Sequence, residues 1–342
     1  MQSDQTRRRF LGVIGTAGIV GLAGCSGGGD TGGEGTETDT DGETTATAES
    51  METESGSETT RLSWHAGGTG GTYFPLSNEF KTVVEENTEF SLNVQSTGAS
   101  VENVGSLADG SADFALIQND IAFFAKNGTG IDAFDGNPIN NLRGVATLYP
   151  ETITVVTLAD SDISTLSDLS GKTINTGDLG SGTQVNANQI LEAVGITDFT
   201  EQNAGFSQAS EQLANGDIDA AFVVGGWPVG AIEDLATTND VEIVPIEGEN
   251  RQTVKDAASW FADDTIPAGT YSGVDEATET IAVQAMIATR TGVDAGTVET
   301  VTAALFENVD ALTIKTEFIS TGSAQDGMSI ELHEGATAFF EN

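Results

Sequence analysis

Three loops in this chain have the composition to hold an anion without any basic side chain. They are Gly67–Tyr73, Thr97–Ser100 and Gly180–Thr183, each rich in glycine, serine or threonine. Each lies between a strand-like run and the start of a helical pattern. A helix start presents unpaired backbone N–H groups and a partial positive end. Glycine lets a ligand approach that backbone closely, and hydroxyls add donors. Such loops bind anions, and in α/β sheets they sit at the carboxyl ends of strands, where ligands dock. Other chemistries find less support. No stretch has the Gly-x-x-x-x-Gly-Lys-Ser/Thr spacing of a phosphate loop, and Gly68-Thr69-Gly70-Gly71 misses the dinucleotide spacing. The chain has two histidines, His65 and His333, and one cysteine, Cys25. With no paired histidine motif, neither a zinc site nor a cysteine nucleophile is supported, and no metal or cofactor is expected. His65 reads as strand packing and His333 carries no role. Acidic residues are too abundant for any pair to stand out.

The elements that must position these loops are legible as alternating patterns. Arg61–Ala66 reads as a strand, and Pro75 with Leu76, Phe80, Val83 and Val84 as the helix after the first loop. Phe90–Gln95 alternates as a strand, followed by a helix through Val101, Val104 and Leu107 and a short buried strand, Phe114–Ile117. Val145–Leu148 and Ile153–Leu158 read as two further strands. The pattern then restarts. Lys172–Asn175 is a strand, Gln184–Val194 a helix stopped by Gly195, Ala209–Ala214 a helix, and Ala220–Val224 and Val241–Ile246 strands. Ile281–Ala288 reads as a strand or an apolar helix, and Glu299–Ile314 as an amphipathic helix with Val301, Leu305, Val309 and Leu312 on one side. Two β-loop-α halves imply α/β layers with mainly parallel pairing.

The N-terminus speaks to location. Thr6-Arg7-Arg8-Arg9-Phe10-Leu11 reads as a twin-arginine export signal, and Gly12–Gly24 is too short to span a bilayer. Leu22-Ala23-Gly24-Cys25 resembles a lipobox. Residues 1–24 are therefore expected to be a removed leader and Cys25 the lipidated anchor, on the outer face of the cytoplasmic membrane. The alternative is an ordinary signal peptide with an incidental cysteine. Residues 25–60 are nearly all Gly, Thr, Ser, Glu and Asp. They are expected to form a disordered acidic tether reaching on the order of 30–35 Å. The formal net charge is −41, from 53 acidic and 12 basic residues. Such a surface repels nucleic acid and anionic headgroups, so membrane contact is expected through the lipid anchor only. An acidic, lysine-poor, exported lipoprotein is similar to the secreted proteins of halophilic archaea. Without a second cysteine the fold must rest on its core.

Read in order, several motifs resemble one family. They are Gly67-Gly68-Thr69-Gly70-Gly71-Thr72-Tyr73-Phe74-Pro75-Leu76, Thr97–Asn103, Ala112–Asp120, Leu148-Tyr149-Pro150-Glu151, Gly180-Ser181-Gly182-Thr183, Ile218–Phe222, Thr265–Tyr271 and Ala304–Asn308. Together they resemble TAXI-type solute receptors of TRAP transporters over nearly all of residues 61–342. The resemblance implies an α/β, two-lobed periplasmic-binding-protein fold, type II-like, with the ligand cleft between lobes. It places lobe 1 at 61–158 and 271–342 and lobe 2 at 159–270, with crossings near Thr157–Ser161 and Pro267–Glu279. It implies a receptor and not an enzyme, capturing a small carboxylate of the glutamate or 2-oxo acid class for an ion-gradient-driven TRAP permease. Carried over, the cleft is lined by Thr69, Gly70, Gly71, Thr72 and Tyr73, with Ser100, Gln118 and Tyr149 nearby. Ser181, Gly182, Thr183 and Trp227 close from the other lobe, and packing between lobes is the alternative role for Trp227. Only Arg61, Arg143, Arg251 and Arg290 remain after the leader, so backbone amides and hydroxyls are expected to hold the anion. The rival readings are a lipoprotein reporting to a membrane sensor and a surface enzyme. Asn127-Gly128-Thr129 is a candidate glycosylation acceptor on an exported protein.

Overall fold

Strand β1 (Thr60–His65) turns Leu62 and Trp64 into the core, as its alternation requires. It is the first element of a computed structural model that describes residues 59–341. The expected leader, Cys25 and all but the end of the expected tether lie outside the described residues. Trp64 stacks on Phe114 at 5.5 Å, meets Phe80 edge-on at 5.8 Å, and donates its indole N–H to Ser77 Oγ at 2.9 Å. Helix α1 (Tyr73–Asn87) buries Leu76, Phe80, Val83 and Val84 against it. Pro75 sits in the first turn, where its missing N–H costs nothing. Then come β2 (Phe90–Gln95), α2 (Ser100–Asp109), β3 (Phe114–Gln118) and α3 (Asn119–Asn127). Every residue of β3 is buried, as the apolar run Phe114–Ile117 demands, with Gln118 the one polar residue at its end. Strand β1 pairs parallel with both β2 and β3.

Strand β4 (Leu142–Leu158) is one element where the sequence reads as two. Pro150 does not break it. It faces Gln284 beside a register shift in strand β10 (Thr278–Arg290), an irregularity at which a missing N–H is tolerated. Between them the chain builds β5 (Thr173–Asn175), α4 (Gly182–Ala193), β6 (Thr200–Gln202), α5 (Phe206–Asn215), β7 (Ala220–Gly225), α6 (Gly230–Thr238), β8 (Val241–Val244), α7 (Gly248–Ala257) and β9 (Ala262–Ile266). Helices α8 (Ala295–Glu307) and α9 (Glu334–Glu341) follow β10. Helix α8 stops short of the expected Ile314. Asn308 Nδ2 donates back to the Ala304 carbonyl at 2.8 Å, and Val309–Ala311 form a 3-10 turn.

The sheet runs β2-β1-β3-β10-β4-β7-β5-β6, with β8 added to β4 and β9 to β10. Pairing is parallel at both flanks and antiparallel through the centre, which corrects the expectation of mainly parallel strands. Hydrophobic periodicity carries no strand direction, and β4 and β10 run opposite to each other and to their neighbours on each side.

The same two strands join two lobes. Leu148 and Tyr149 of β4, with Ala285 and Ile287 of β10, belong to the core around Trp64. Ile153 and Val155, with Ile281 and Val283, belong to a separate core around Ile174, Ile190 and Phe222. The exchange of core thus passes through the middles of β4 and β10, and the expected crossing segments lie toward their ends. No helix among the described residues is long and apolar enough to cross a membrane.

Candidate ligand-binding site

The strand ends of the first lobe are pinned together by one buried side chain. Asn103 Nδ2 donates to the carbonyls of Ala66 at 2.6 Å and Leu116 at 2.8 Å, and Asn103 Oδ1 accepts from Thr97 Oγ1 at 2.7 Å. This fixes the loop after β2, where Ala99 adopts φ 69° and ψ −140°. A non-glycine residue there stores strain of about 1–3 kcal/mol, a recurrent feature of ligand sites. The strained turn delivers Ser100 as the first residue of α2, with its Oγ accepting from the Gln118 N–H at 3.1 Å.

Between the lobes lies a cavity of about 530 Å³, open mouth included. Gly71, Thr72, Tyr73, Ser100 and Gln118 line it from the first lobe, and Ser181, Gly182 and Thr183 from the second. The N-termini of α1, α2, α4 and α5 all reach it, the last through Gly205 and Phe206. Ser181 caps α4, accepting from the Gln184 N–H at 3.1 Å. No lysine or arginine is among the lining residues. The lobes meet around the cavity. Val101 and Glu102 donate their N–H groups to the Gly180 carbonyl at 3.2 and 3.3 Å, and Asn186 Nδ2 donates to Asp120 Oδ2 at 2.8 Å. Phe124 and Trp260 pack edge to face at 4.8 Å. A Cβ added to Gly182 would land on the Gln118 carboxamide.

Glu151 forms part of the cavity wall and was not singled out in the sequence as a ligand residue. Its carboxyl accepts from Tyr73 Oη at 2.9 Å and Tyr149 Oη at 3.3 Å and is 3% exposed. Burial pushes it up to about 8, against the opposing pull of the Tyr73, Gln118 and Tyr149 donors. Burial, with Glu151 close by, holds both tyrosine hydroxyls well above the ordinary phenol range, so they remain donors. Asp120, just beyond Gln118, is raised to about 6, also by burial. Asp178 adds an exposed carboxylate at the mouth. In the sequence Glu151 falls in the gap between two strand-like runs, Val145–Leu148 and Ile153–Leu158, so no local pattern marks it.

Other expected residues lie elsewhere. Thr69 and Trp227 line a neighbouring cavity with Pro75 and Lys315. Lys315 Nζ donates to the Trp227 carbonyl and sits 4.4 Å from its ring centroid. Gly70 accepts from the Ala231 N–H at 3.1 Å, a contact between lobes. Tyr149 is fully buried behind Glu151. His65 is buried at the end of β1, and His333 Nδ1 accepts from the Gly335 N–H at 3.2 Å. Asn127 is exposed at the end of α3. No group of acidic, histidine or cysteine side chains fit to hold a metal occurs among the described residues.

Residues 65–342, which span the site and both lobes, match the NMT1-like family. The chain belongs to the NMT1-like family. This NMT1-like chain is also similar to several solved structures. A protein of Bordetella bronchiseptica RB50 is 16% identical, with 73% of this chain and 70% of that one covered and a TM-score of 0.50. The substrate-binding protein of an amino acid ABC transporter is 15% identical, with coverage of 72% and 91% and a TM-score of 0.43. The alkanesulfonate-binding protein of Xanthomonas axonopodis pv. citri, bound to MOPS, is 15% identical, with coverage of 76% and 80% and a TM-score of 0.45. At 16% identity the likeness to the Bordetella protein is one of fold alone.

Proposed function

We propose that this NMT1-like protein is an extracytoplasmic solute receptor. It is anchored by lipid on Cys25, captures a small carboxylate of the glutamate or 2-oxo acid class, and delivers it to an ion-gradient-driven TRAP permease. The observation that carries the reading is the convergence of four helix N-termini, from both lobes, on a cavity lined by no basic side chain. Their partial positive ends stabilise an anion there, with the N–H groups at the starts of α1, α4 and α5 as donors; those of Val101 and Glu102 in α2 are taken by the Gly180 carbonyl. The Ser100, Ser181 and Thr183 hydroxyls add donors. Ligand bridging the lobes shifts an open–closed equilibrium toward the arrangement in which Gly180 caps α2 and Asn186 meets Asp120. The permease then reads the closed form. The ordered motifs of TAXI-type receptors along the chain support TRAP delivery. Calorimetric titration of the exported chain in molar salt with a panel of small carboxylates tests the binding reading, and saturable binding is expected. Absence of binding across the panel overturns it. Uptake in vesicles holding the cognate permease tests delivery: an imposed ion gradient is expected to drive it, and a requirement for ATP rules TRAP delivery out.

A further inference from the structure

We propose that Glu151 and the Gln118 carboxamide oxygen form an ammonium subsite in this cavity, so that the receptor takes zwitterionic amino acids in preference to 2-oxo acids of the same skeleton. The inference rests on the receptor reading and names the ligand class within it.

Glu151 is a buried carboxyl with neutral partners only. Tyr73 and Tyr149 each donate to one of its oxygens. The charged groups near it make matters worse for an anion, not better. Asp120 on α3 and Asp178 at the mouth are both acidic, and no cation lines the cavity. Lys315, in the neighbouring cavity, is engaged with the Trp227 carbonyl. Gln118 Oε1, on a residue 2% exposed, has no hydrogen-bond partner although its side chain lines the same wall. A buried unpaired acceptor beside an uncompensated carboxyl is costly in the absence of a donor. Both acceptors ask the ligand for N–H groups and positive charge. A ligand carboxylate placed there would hold Glu151 in its protonated form and give Gln118 Oε1 no donor, so that acceptor would stay unpaired. The anionic end of the ligand belongs instead on the unpaired N–H groups at the helix starts that line the cavity. An α-amino acid meets both demands, with its carboxylate on the helix starts and its ammonium on Glu151 and Gln118.

The test is calorimetric titration of the exported chain in molar salt with matched pairs: L-glutamate and 2-oxoglutarate, L-alanine and pyruvate, L-leucine and 4-methyl-2-oxopentanoate. 1-Aminobutane serves as an amine without a carboxylate. The amino acid of at least one pair is expected to bind about tenfold or more tighter than its 2-oxo partner. Run in buffers of different ionisation enthalpy near neutral pH, its binding should release protons, because the empty-site carboxyl, raised to about 8, must ionise to receive an ammonium. E151Q, with its fold checked by thermal melting, should lose about tenfold for the amino acid and leave 2-oxo acid binding unchanged or stronger. Equal or tighter binding of the 2-oxo acids, or proton uptake with the amino acid, overturns the ammonium subsite while leaving the carboxylate receptor standing. Binding of 1-aminobutane alone keeps the subsite and overturns the carboxylate. No binding in any class overturns both. The pair comparison and the proton count need no variant.

Discussion

The Tyr73 hydroxyl donates to Glu151 Oε2 at 2.9 Å, tying the first residue of α1 to the middle of the strand that passes between lobes. The contact is buried and joins a helix start to the acidic group of the same cavity. Tyr73→Phe removes the donor and leaves the ring in place. A hydrogen bond to a charged acceptor contributes about 1.5–3 kcal/mol, so the ionised form of Glu151 becomes harder to reach. Amino acid binding is expected to weaken about tenfold or more near neutral pH, and its proton release to persist to higher pH. Titration of both proteins across pH checks this, and an unchanged pH profile counts against the Tyr73–Glu151 coupling.

Ligand-free stability should carry the signature of the two raised acids. Glu151 stands at about 8 and Asp120 at about 6, both above their ordinary values because of burial. Between the unfolded and folded values the folded chain holds more protons than the unfolded one. Stability therefore falls as pH rises through that window, and the loss is complete above the folded values. For Glu151 the window runs from the ordinary carboxylate range to about 8. His65 and His333, lowered by burial, act with the opposite sign below their ordinary value. The difference between E151Q and wild type isolates Glu151. In molar salt, which screens the exposed carboxylates, the melting-temperature advantage of E151Q should widen with pH up to about 8 and then hold constant. A pH-independent difference would contradict the shift.

What the sequence showed and hid follows from the physics of each signal. The loops Gly67–Tyr73 and Gly180–Thr183 were legible because glycine and hydroxyl residues at a strand-to-helix turn are locally unusual. Gly71, Thr72, Tyr73 and Ser181 to Thr183 accordingly line the cavity. Glu151 was not legible as a ligand residue because one acid among 53 acidic residues carries no local contrast. Its meaning comes from burial and from Tyr73, far away in the chain. The antiparallel centre was hidden for a related reason: Leu148 and Ile153 look alike as strand residues although they serve different cores. Gly205, the N-cap of α5, is a lone glycine between Ala204 and Phe206, so it gives none of the signal that Gly180-Ser181-Gly182-Thr183 gives.

Gly182 is a close-approach glycine between lobes. It belongs to α4, yet its missing Cβ leaves room for Gln118 of the other lobe. Gly182 is the first residue of α4, after the Ser181 cap, so alanine there costs the helix nothing and gains it less than the interior value of about 1 kcal/mol. Gly182→Ala is therefore expected to fold with unchanged or slightly raised stability while failing to close. Small-angle scattering should show no ligand-induced contraction, and affinity should drop by about a hundredfold or more, since closure brings Ser181, Gly182, Thr183, Gly205 and Phe206 of the second lobe onto the cavity. Wild-type affinity in this variant would mean that the lobes do not meet at Gly182 when ligand is bound.

Ser181 has two duties that a pair of substitutions separates. It caps α4 by accepting from the Gln184 N–H at 3.1 Å, and it lines the cavity. Ser181→Ala removes both and is expected to cost about 1 kcal/mol of stability, together with a loss of affinity. Ser181→Asp restores a good cap and suits the helix dipole, so stability should return to about the wild-type value. The same carboxylate puts negative charge at the start of α4, where the proposed receptor role places the ligand anion, in a cavity lined by no lysine or arginine. Binding of any carboxylate ligand should then fall below that of Ser181→Ala although the protein is more stable. Chemical denaturation and titration, run side by side, read the two effects separately. If affinity simply tracks stability through the pair, Ser181 acts as a cap alone and the anion lies elsewhere.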